Sequence, residues 1–221
     1  MSEILKFDDP VVLIGGADVD IDLLQRFSHL PIVAADGGAN HLRHTSLVPK
    51  VIVGDVDSLK DLDYCQSVTR VKRISEQDTT DLEKCLYSTE ASLYIAMGFT
   101  GGRLDHTLAT LHTVQKHHAL KSVLLIGSED LILICSRSIK LSVPADIRVS
   151  VYPMSRTVFS ASQGLQYPLN GLDMQQGELI GTSNRSCADT IEIQPESGIF
   201  ALILPVTCLP SVLAEYQVSA R

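Results

Sequence analysis

Gly54-Asp55-Val56-Asp57-Ser58 sets two carboxylates two positions apart, directly after the apolar run Val51-Ile52-Val53. The run reads as a buried strand, so the acids stand at its exit. In an extended backbone, residues i and i+2 face one side, about 7 Å apart along the chain. Carboxylates so arranged repel each other and lose hydration unless a positive charge lies between them. A hard divalent ion such as Mg2+ suits them, because it takes oxygen ligands and keeps water or a substrate phosphate in its shell. A loop whose Asp and Ser residues make turn hydrogen bonds would explain the same residues. Recurrence favours the metal: three similar segments follow other strands.

The first is Asp36-Gly37-Gly38-Ala39-Asn40, which leaves the apolar run Pro31-Ile32-Val33-Ala34-Ala35. Open α/β sheets put ligand-binding groups at the carboxyl ends of strands, and paired glycines permit a tight turn or a close backbone approach to a ligand. A plain strand-to-helix turn is the alternative. The second, Gln77-Asp78-Thr79-Thr80-Asp81, follows the basic run Arg70 to Ile74. Thr80 and Glu83 fit a capping box, so a helix is expected to start here, and Asp81 in its first turn suits the helix dipole. Neither effect explains Asp78 and Asp81 together beside Gln77, so a metal or substrate role stays open. The third is Gly98-Phe99-Thr100-Gly101-Gly102-Arg103-Leu104-Asp105-His106, between the run Ser92 to Met97 and the helical spacing of Leu104, Leu108, Leu111 and Val114. A glycine loop at a helix N-terminus is a ready anion site, and Arg103 adds a planar donor fork suited to phosphate. The loop matches neither G-x-x-x-x-G-K-[ST] nor G-x-G-x-x-G. His106 reads as a structural anchor ahead of a general base.

The elements that must carry these segments alternate. Val11 to Ile14 is a strand ended by Gly15-Gly16; Asp20 to Leu30 holds Leu23, Leu24 and Phe27 at helical spacing; Val123 to Ile126 is the last strand of the series. From about Asp130 the helical spacing stops. Short runs follow between polar breaks, at Leu131 to Cys135, Ile139 to Val143, Ile147 to Tyr152, Thr157 to Phe159, Thr190 to Ile193 and Ile199 to Leu204. Such spacing suggests an antiparallel sandwich or barrel. The boundary is expected near Leu131, giving an α/β domain over 1–130 and an all-β domain over 131–221. In the second domain Tyr167 could offer an aromatic face to a ring, and Ser183 and Asn184 could donate hydrogen bonds to one; a β-turn or a packed tyrosine would also account for them.

Composition limits the partners. The chain has 221 residues, 45% of them apolar, enough to bury a core. Its net charge of −8 argues against broad binding to nucleic acid or to an anionic membrane. The five cysteines are odd in number, widely spaced and free of C-x-x-C, which fits a reducing, cytoplasmic setting better than a disulfide framework or zinc site. Met1-Ser2-Glu3-Ile4 lacks a basic run, and no apolar run is long enough to span a bilayer; no signal peptide is expected.

Asp36-Gly37-Gly38-Ala39-Asn40, Gly54-Asp55-Val56-Asp57-Ser58, Asp78-Thr79-Thr80-Asp81 and Gly101-Gly102-Arg103-Leu104-Asp105-His106 together resemble the ordered motifs of the thiamine pyrophosphokinase family. Gly164-Leu165-Gln166-Tyr167-Pro168-Leu169 and Thr182-Ser183-Asn184 resemble its bacterial members. The resemblance spans nearly the whole chain. It implies an N-terminal α/β domain with a parallel, Rossmann-like sheet, a C-terminal β-sandwich that binds thiamine and dimerises, and a homodimer with sites at the interface. Members transfer a pyrophosphoryl group from MgATP to the thiamine hydroxyl. Carried over, the pattern makes Asp55, Asp57 and Asp81 metal ligands, and Asp55, Asp81 and Arg103 catalytic. Asp36, Gly37, Asn40, Asp78, Thr80, Gly101, Arg103 and Asp105 would line the nucleotide, and Gln77, Tyr167, Ser183 and Asn184 would meet thiamine, Ser183 and Asn184 from the partner subunit. Two positions depart from the pattern: Tyr167 stands where some members have Trp, and Gln77 where many bacterial members have Lys. A metal-dependent phosphohydrolase and a non-catalytic nucleotide or thiamine sensor are the rival readings.

Overall fold

Apolar runs of four residues with no polar alternation are what a strand covered on both faces requires. Five such runs and one basic run build the sheet of the first unit. In the computed structural model, which describes residues 4–218 and 220, the chain forms two compact units, Met1–Ser128 and Glu129–Ala220. Residues 1–3, on which the N-terminal reading partly rests, lie outside the described residues.

The first unit runs β1 (Leu5–Lys6), β2 (Val11–Ile14), α1 (Ile21–Gln25), β3 (Ile32–Ala35), a 3-10 turn (Asp36–Leu42), β4 (Val51–Gly54), α2 (Leu62–Val68) and β5 (Arg70–Arg73). It continues with α3 (Asp81–Ser88), β6 (Thr89–Glu90), β7 (Tyr94–Met97), α4 (Leu104–His117) and β8 (Val123–Ile126). The sheet order is β8-β7-β2-β3-β4-β5, every pair parallel. β2, β3, β4, β7 and β8 are buried along their whole length. β5, with Arg70 and Arg73 exposed, forms the edge, where charge discourages further pairing. The chain steps outward from β2 to β5, then returns to the other side of β2 as β7. In open α/β sheets such a reversal is where ligands bind, at the carboxyl ends of the central strands.

Three local expectations shift. The helix expected over Asp20 to Leu30 ends at Gln25, because Arg26, Phe27 and Ser28 donate to carbonyls three residues back and tighten the chain into turns. Thr80 caps α3 through its hydroxyl, yet the Glu83 carboxylate does not reach back to complete a capping box: it accepts from Lys116 Nζ at 2.6 Å and His117 Nε2 at 3.0 Å on α4. α4 is present, but Leu104 and Leu108 are largely exposed, and its buried residues are Thr110, Thr113 and Val114.

The second unit is antiparallel. Its strands are β9 (Asp130–Cys135), β10 (Ile139–Ser142), β11 (Arg148–Pro153), β12 (Thr157–Gln163), β13 (Asp173–Met174), β14 (Gly181–Arg185), β15 (Thr190–Ser197) and β16 (Phe200–Pro205), followed by α5 (Leu209–Glu215). Two four-stranded arrays result, β14-β11-β16-β9 and β10-β15-β12-β13. They meet where Phe159 of β12 and Phe200 of β16, both fully buried, stack edge to face with ring centroids 5.3 Å apart. No helix of the described residues is long and apolar enough to cross a membrane.

Candidate active site

β4 delivers Asp55 and Asp57, but not by strand alternation. Val56 between them has φ 68°, so the backbone turns left-handed there, a costly conformation for a β-branched residue. The turn, not an extended backbone, brings both carboxylates toward the end of β3. There Asp36 opens the 3-10 turn, itself at φ 41°. Its approach depends on Gly54: a Cβ at that position would lie 2.6 Å from the Asp36 Cβ. Carboxylate oxygens of Asp36, Asp55 and Asp57 all lie within 4.8 Å of one another.

The cluster is held by polar contacts suited to anions. Ser58 N–H donates to Asp36 Oδ2 at 3.2 Å, and Ser58 Oγ donates to Asp57 Oδ1 at 2.9 Å. The Gln77 amide donates to Asp55 Oδ2 at 2.8 Å. Asn40 clamps the loop: Nδ2 donates to the Ser58 carbonyl at 2.9 Å, and Oδ1 accepts from Lys60 N–H at 3.0 Å. Gly37 packs beside Ser58, which a Cβ would approach to 3.0 Å. Asp36 is 2% exposed, and its Oδ1 is buried without a hydrogen-bond partner. A buried oxygen of this kind carries a desolvation cost that a cation relieves. Burial pushes the Asp36 carboxyl above its ordinary range against the pull of Ser58 N–H, and the charges of Asp81 and Asp55 add to the rise. The Gln77 bond holds Asp55 below it.

Asp81 lies outside the three-carboxylate cluster but within its field. Burial raises its carboxyl, Lys84 opposes the rise, and Asp55 and Asp57 reinforce it. Lys84 Nζ stands 3.3 Å from Asp81 Oδ1, with its side chain only 3% exposed. A lysine is almost never buried unless paired, so this ammonium is a built-in counter-charge beside the acids. Sequence reasoning did not single it out; its place three residues after Asp81 on a helix was the available signal. It likewise passed over Glu76, which folds the turn ahead of α3. Of the remaining residues there, Thr80 spends its hydroxyl on the Glu83 N–H and lies 3.3 Å from Thr113 Oγ1, while Asp78 is exposed.

The glycine loop leaves the carboxyl end of β7, which β2 separates from β3 in the sheet. Gly101 and Gly102 have φ 84° and 63° with open space where a Cβ would stand, so backbone conformation and not crowding calls for glycine. Arg103 precedes the first turn of α4 and forks onto Asp105, Nε to Oδ1 at 3.1 Å and Nη2 to Oδ2 at 2.5 Å, both residues exposed. In the second unit Tyr167 is 62% exposed. Asn184 is buried, and its amide is engaged by the chain itself: Nδ2 donates to the Tyr167 carbonyl at 2.7 Å, and Oδ1 accepts from Tyr167 N–H at 3.0 Å and Arg185 N–H at 2.8 Å. It therefore shapes the backbone that presents Tyr167. Ser183 is exposed at φ 59°, its N–H donating to Ser150 Oγ at 3.0 Å.

The carboxylates and the glycine loop thus belong to the first unit, and Tyr167, Ser183 and Asn184 to the second. Comparisons with known proteins follow the same division. Residues 25–125 match the family model described as thiamin pyrophosphokinase, catalytic domain, and residues 139–200 the model described as thiamin pyrophosphokinase, vitamin B1 binding domain. Thiamine pyrophosphokinase 1 of Oryza sativa subsp. japonica is 28% identical over 200 residues, 76% of each chain. Thiamin pyrophosphokinase 1 of Caenorhabditis elegans is 27% identical over 186 residues, also 76% of each. Among solved structures, thiamine pyrophosphokinase from Bacillus subtilis superimposes with TM-score 0.76 at 21% identity, over 89% of this chain and 99% of that one. Yeast thiamin pyrophosphokinase gives 0.75 at 18%, over 93% and 92%. With both models of one family matched in order across most of its length, the chain belongs to the thiamine pyrophosphokinase family.

Proposed function

We infer that this chain is the enzyme its family is named for, a transferase that moves the pyrophosphoryl group of ATP to the hydroxyl of thiamine, giving thiamine diphosphate and AMP. The observation that carries this reading is the Asp36, Asp55 and Asp57 cluster at the rim of a parallel sheet, inside the span matched by the catalytic model. That sheet, with its reversal beside β2, reads as Rossmann-like, and the two antiparallel arrays as a β-sandwich.

The donor set fits Mg2+: three carboxylates in reach of one ion, one of them with a buried, unpartnered oxygen. Asp36, Asp55 and Asp57 would hold the ion, which supplies charge neutralisation on the triphosphate when bound. The thiamine hydroxyl attacks the β-phosphorus in line, and AMP leaves. Little covalent work falls to the protein, so positioning and fixed charge do most of it. Arg103 turns from Asp105 to the phosphates, and the amides opening α4 receive charge as it moves toward AMP. Of the two carboxylates suited to take the hydroxyl proton, Asp81 is the better placed chemically, since burial raises its proton affinity while Gln77 lowers that of Asp55. Thiamine is met by Gln77 and by Tyr167 and Ser183 of a second copy in a homodimer. Five free cysteines accord with a cytoplasmic setting.

Product analysis tests the reading. With Mg2+, ATP and thiamine, AMP and thiamine diphosphate should form in equal amounts. ADP as product would overturn attack at the β-phosphorus. Phosphate release without thiamine would make the chain a phosphohydrolase, and tight binding of both ligands without turnover would make it a sensor.

A further inference from the structure

Glu76 belongs to none of the groups assigned above, yet its carboxylate is among the most heavily bonded in the first unit. Oε2 accepts the backbone N–H of Asp78 at 2.7 Å and of Thr79 at 3.0 Å. Oε1 accepts the Tyr87 hydroxyl at 2.9 Å and the Thr79 hydroxyl. A carboxylate has about four acceptor positions, so these donors saturate it and leave none for a ligand. What the bonds do is fold residues 76–79 and tie that turn to Tyr87, a residue of the helix that Asp81 opens. The next residue along, Gln77, then donates to Asp55.

We propose that Glu76 is a positioning residue of the reaction site: its ionised carboxylate fixes the turn that sets Gln77 on Asp55 and orients the start of α3 beside the acidic cluster. The proposal rests on the functional reading above. Hydrogen bonds to an ionised acceptor are short and strong, and here they hold the Glu76 carboxyl down to about 2, so the group stays charged throughout the neutral range. Without the anion, two turn N–H groups lose their acceptor, and the Gln77 amide has no fixed approach to Asp55.

The test compares wild type with Glu76→Gln, Gln77→Ala and the double variant in the full chain. Direct Mn2+ titration, read by electron paramagnetic resonance, reports the cluster without needing turnover. Glu76→Gln is expected to weaken Mn2+ binding about threefold to tenfold, to lower kcat about tenfold, and to raise KM for thiamine, which Gln77 also meets. Gln77→Ala should reproduce the loss in Mn2+ binding, and the double variant should add little, because both act through one bond. Tyr87→Phe, which leaves both backbone donors in place, should keep Mn2+ binding near wild type. The sign with pH is fixed: the folded value lies below the ordinary 4.5, so the stabilisation is complete above 4.5 and is lost as pH falls toward about 2. The melting difference between wild type and Glu76→Gln should therefore close over that range. Unchanged Mn2+ affinity in Glu76→Gln, fully additive losses, or a melting difference indifferent to pH would each overturn the proposal. Should Glu76→Gln fail to fold, Glu76→Asp keeps the charge on a shorter arm, and wild-type Mn2+ affinity in it would do the same. Absence of AMP formation by wild type would sink the functional reading, while the Mn2+ titration would still decide the role of Glu76.

Discussion

At the scale of single residues, the site is a contest between desolvation and charge. Asp36 is buried with one oxygen unpartnered, Asp81 is half-buried beside the buried Lys84, and Asp57 is exposed. Exposure makes Asp57 the clean probe. Asp57→Ala should change unfolding free energy by less than about 0.5 kcal/mol, since it opens no cavity and breaks only the Ser58 hydroxyl bond. Turnover should fall at least about 100-fold through loss of the proposed metal ligand; a chemical melt and a steady-state assay on one preparation check both. The pairing of Asp55 and Asp57 was legible in the sequence as two acids after an apolar run, and recurrence of such strand ends set it apart from a plain turn. Asp36 was legible as an acid at a strand's carboxyl end, but its membership of the same cluster was not. That membership depends on a left-handed Val56 and on the missing Cβ of Gly54, and neither leaves a periodic trace.

At the scale of elements, strand ends do the positioning. Gly54 is the last residue of β4, and Asp36 fills the space a side chain there would take. Gly54→Ala should destabilise the fold by about 1–3 kcal/mol, the usual cost of overpacking, and should weaken Mn2+ binding in the fraction that folds. Urea unfolding and a Mn2+ titration read the two effects; normal stability with normal metal affinity would show that the close approach does not matter. The parallel strands were legible because burial on both faces demands unbroken apolar runs. The capping box and the leucine stripe were less so, for one reason: pattern rules assume a helix buries its most apolar side and satisfies its own end. Here Glu83 is taken by Lys116 and His117, and α4 buries threonines while Leu104 and Leu108 face outward.

At the scale of the whole molecule, the chain is two units of different texture, and the change from helical spacing to short separate runs placed the expected boundary near Leu131, beside the division at Ser128 and Glu129. What sequence patterning does not encode is whether one copy holds the whole site. If thiamine is held by a second copy, Asp57→Ala and a Tyr167→Ala/Ser183→Ala double variant should each be inactive alone. After mixing and subunit exchange they should recover about a quarter of wild-type activity, because half the dimers are then mixed and each has one intact site. No recovery, with exchange verified by tagged subunits, would place both sets of residues in a single copy.

The most direct measurement of the central claim is anomalous diffraction at the manganese edge from crystals grown with Mn2+ and ATP. The account predicts a strong peak within bonding distance of carboxylate oxygens from Asp36, Asp55 and Asp57. A peak away from these residues, or none there at saturating Mn2+, would contradict it.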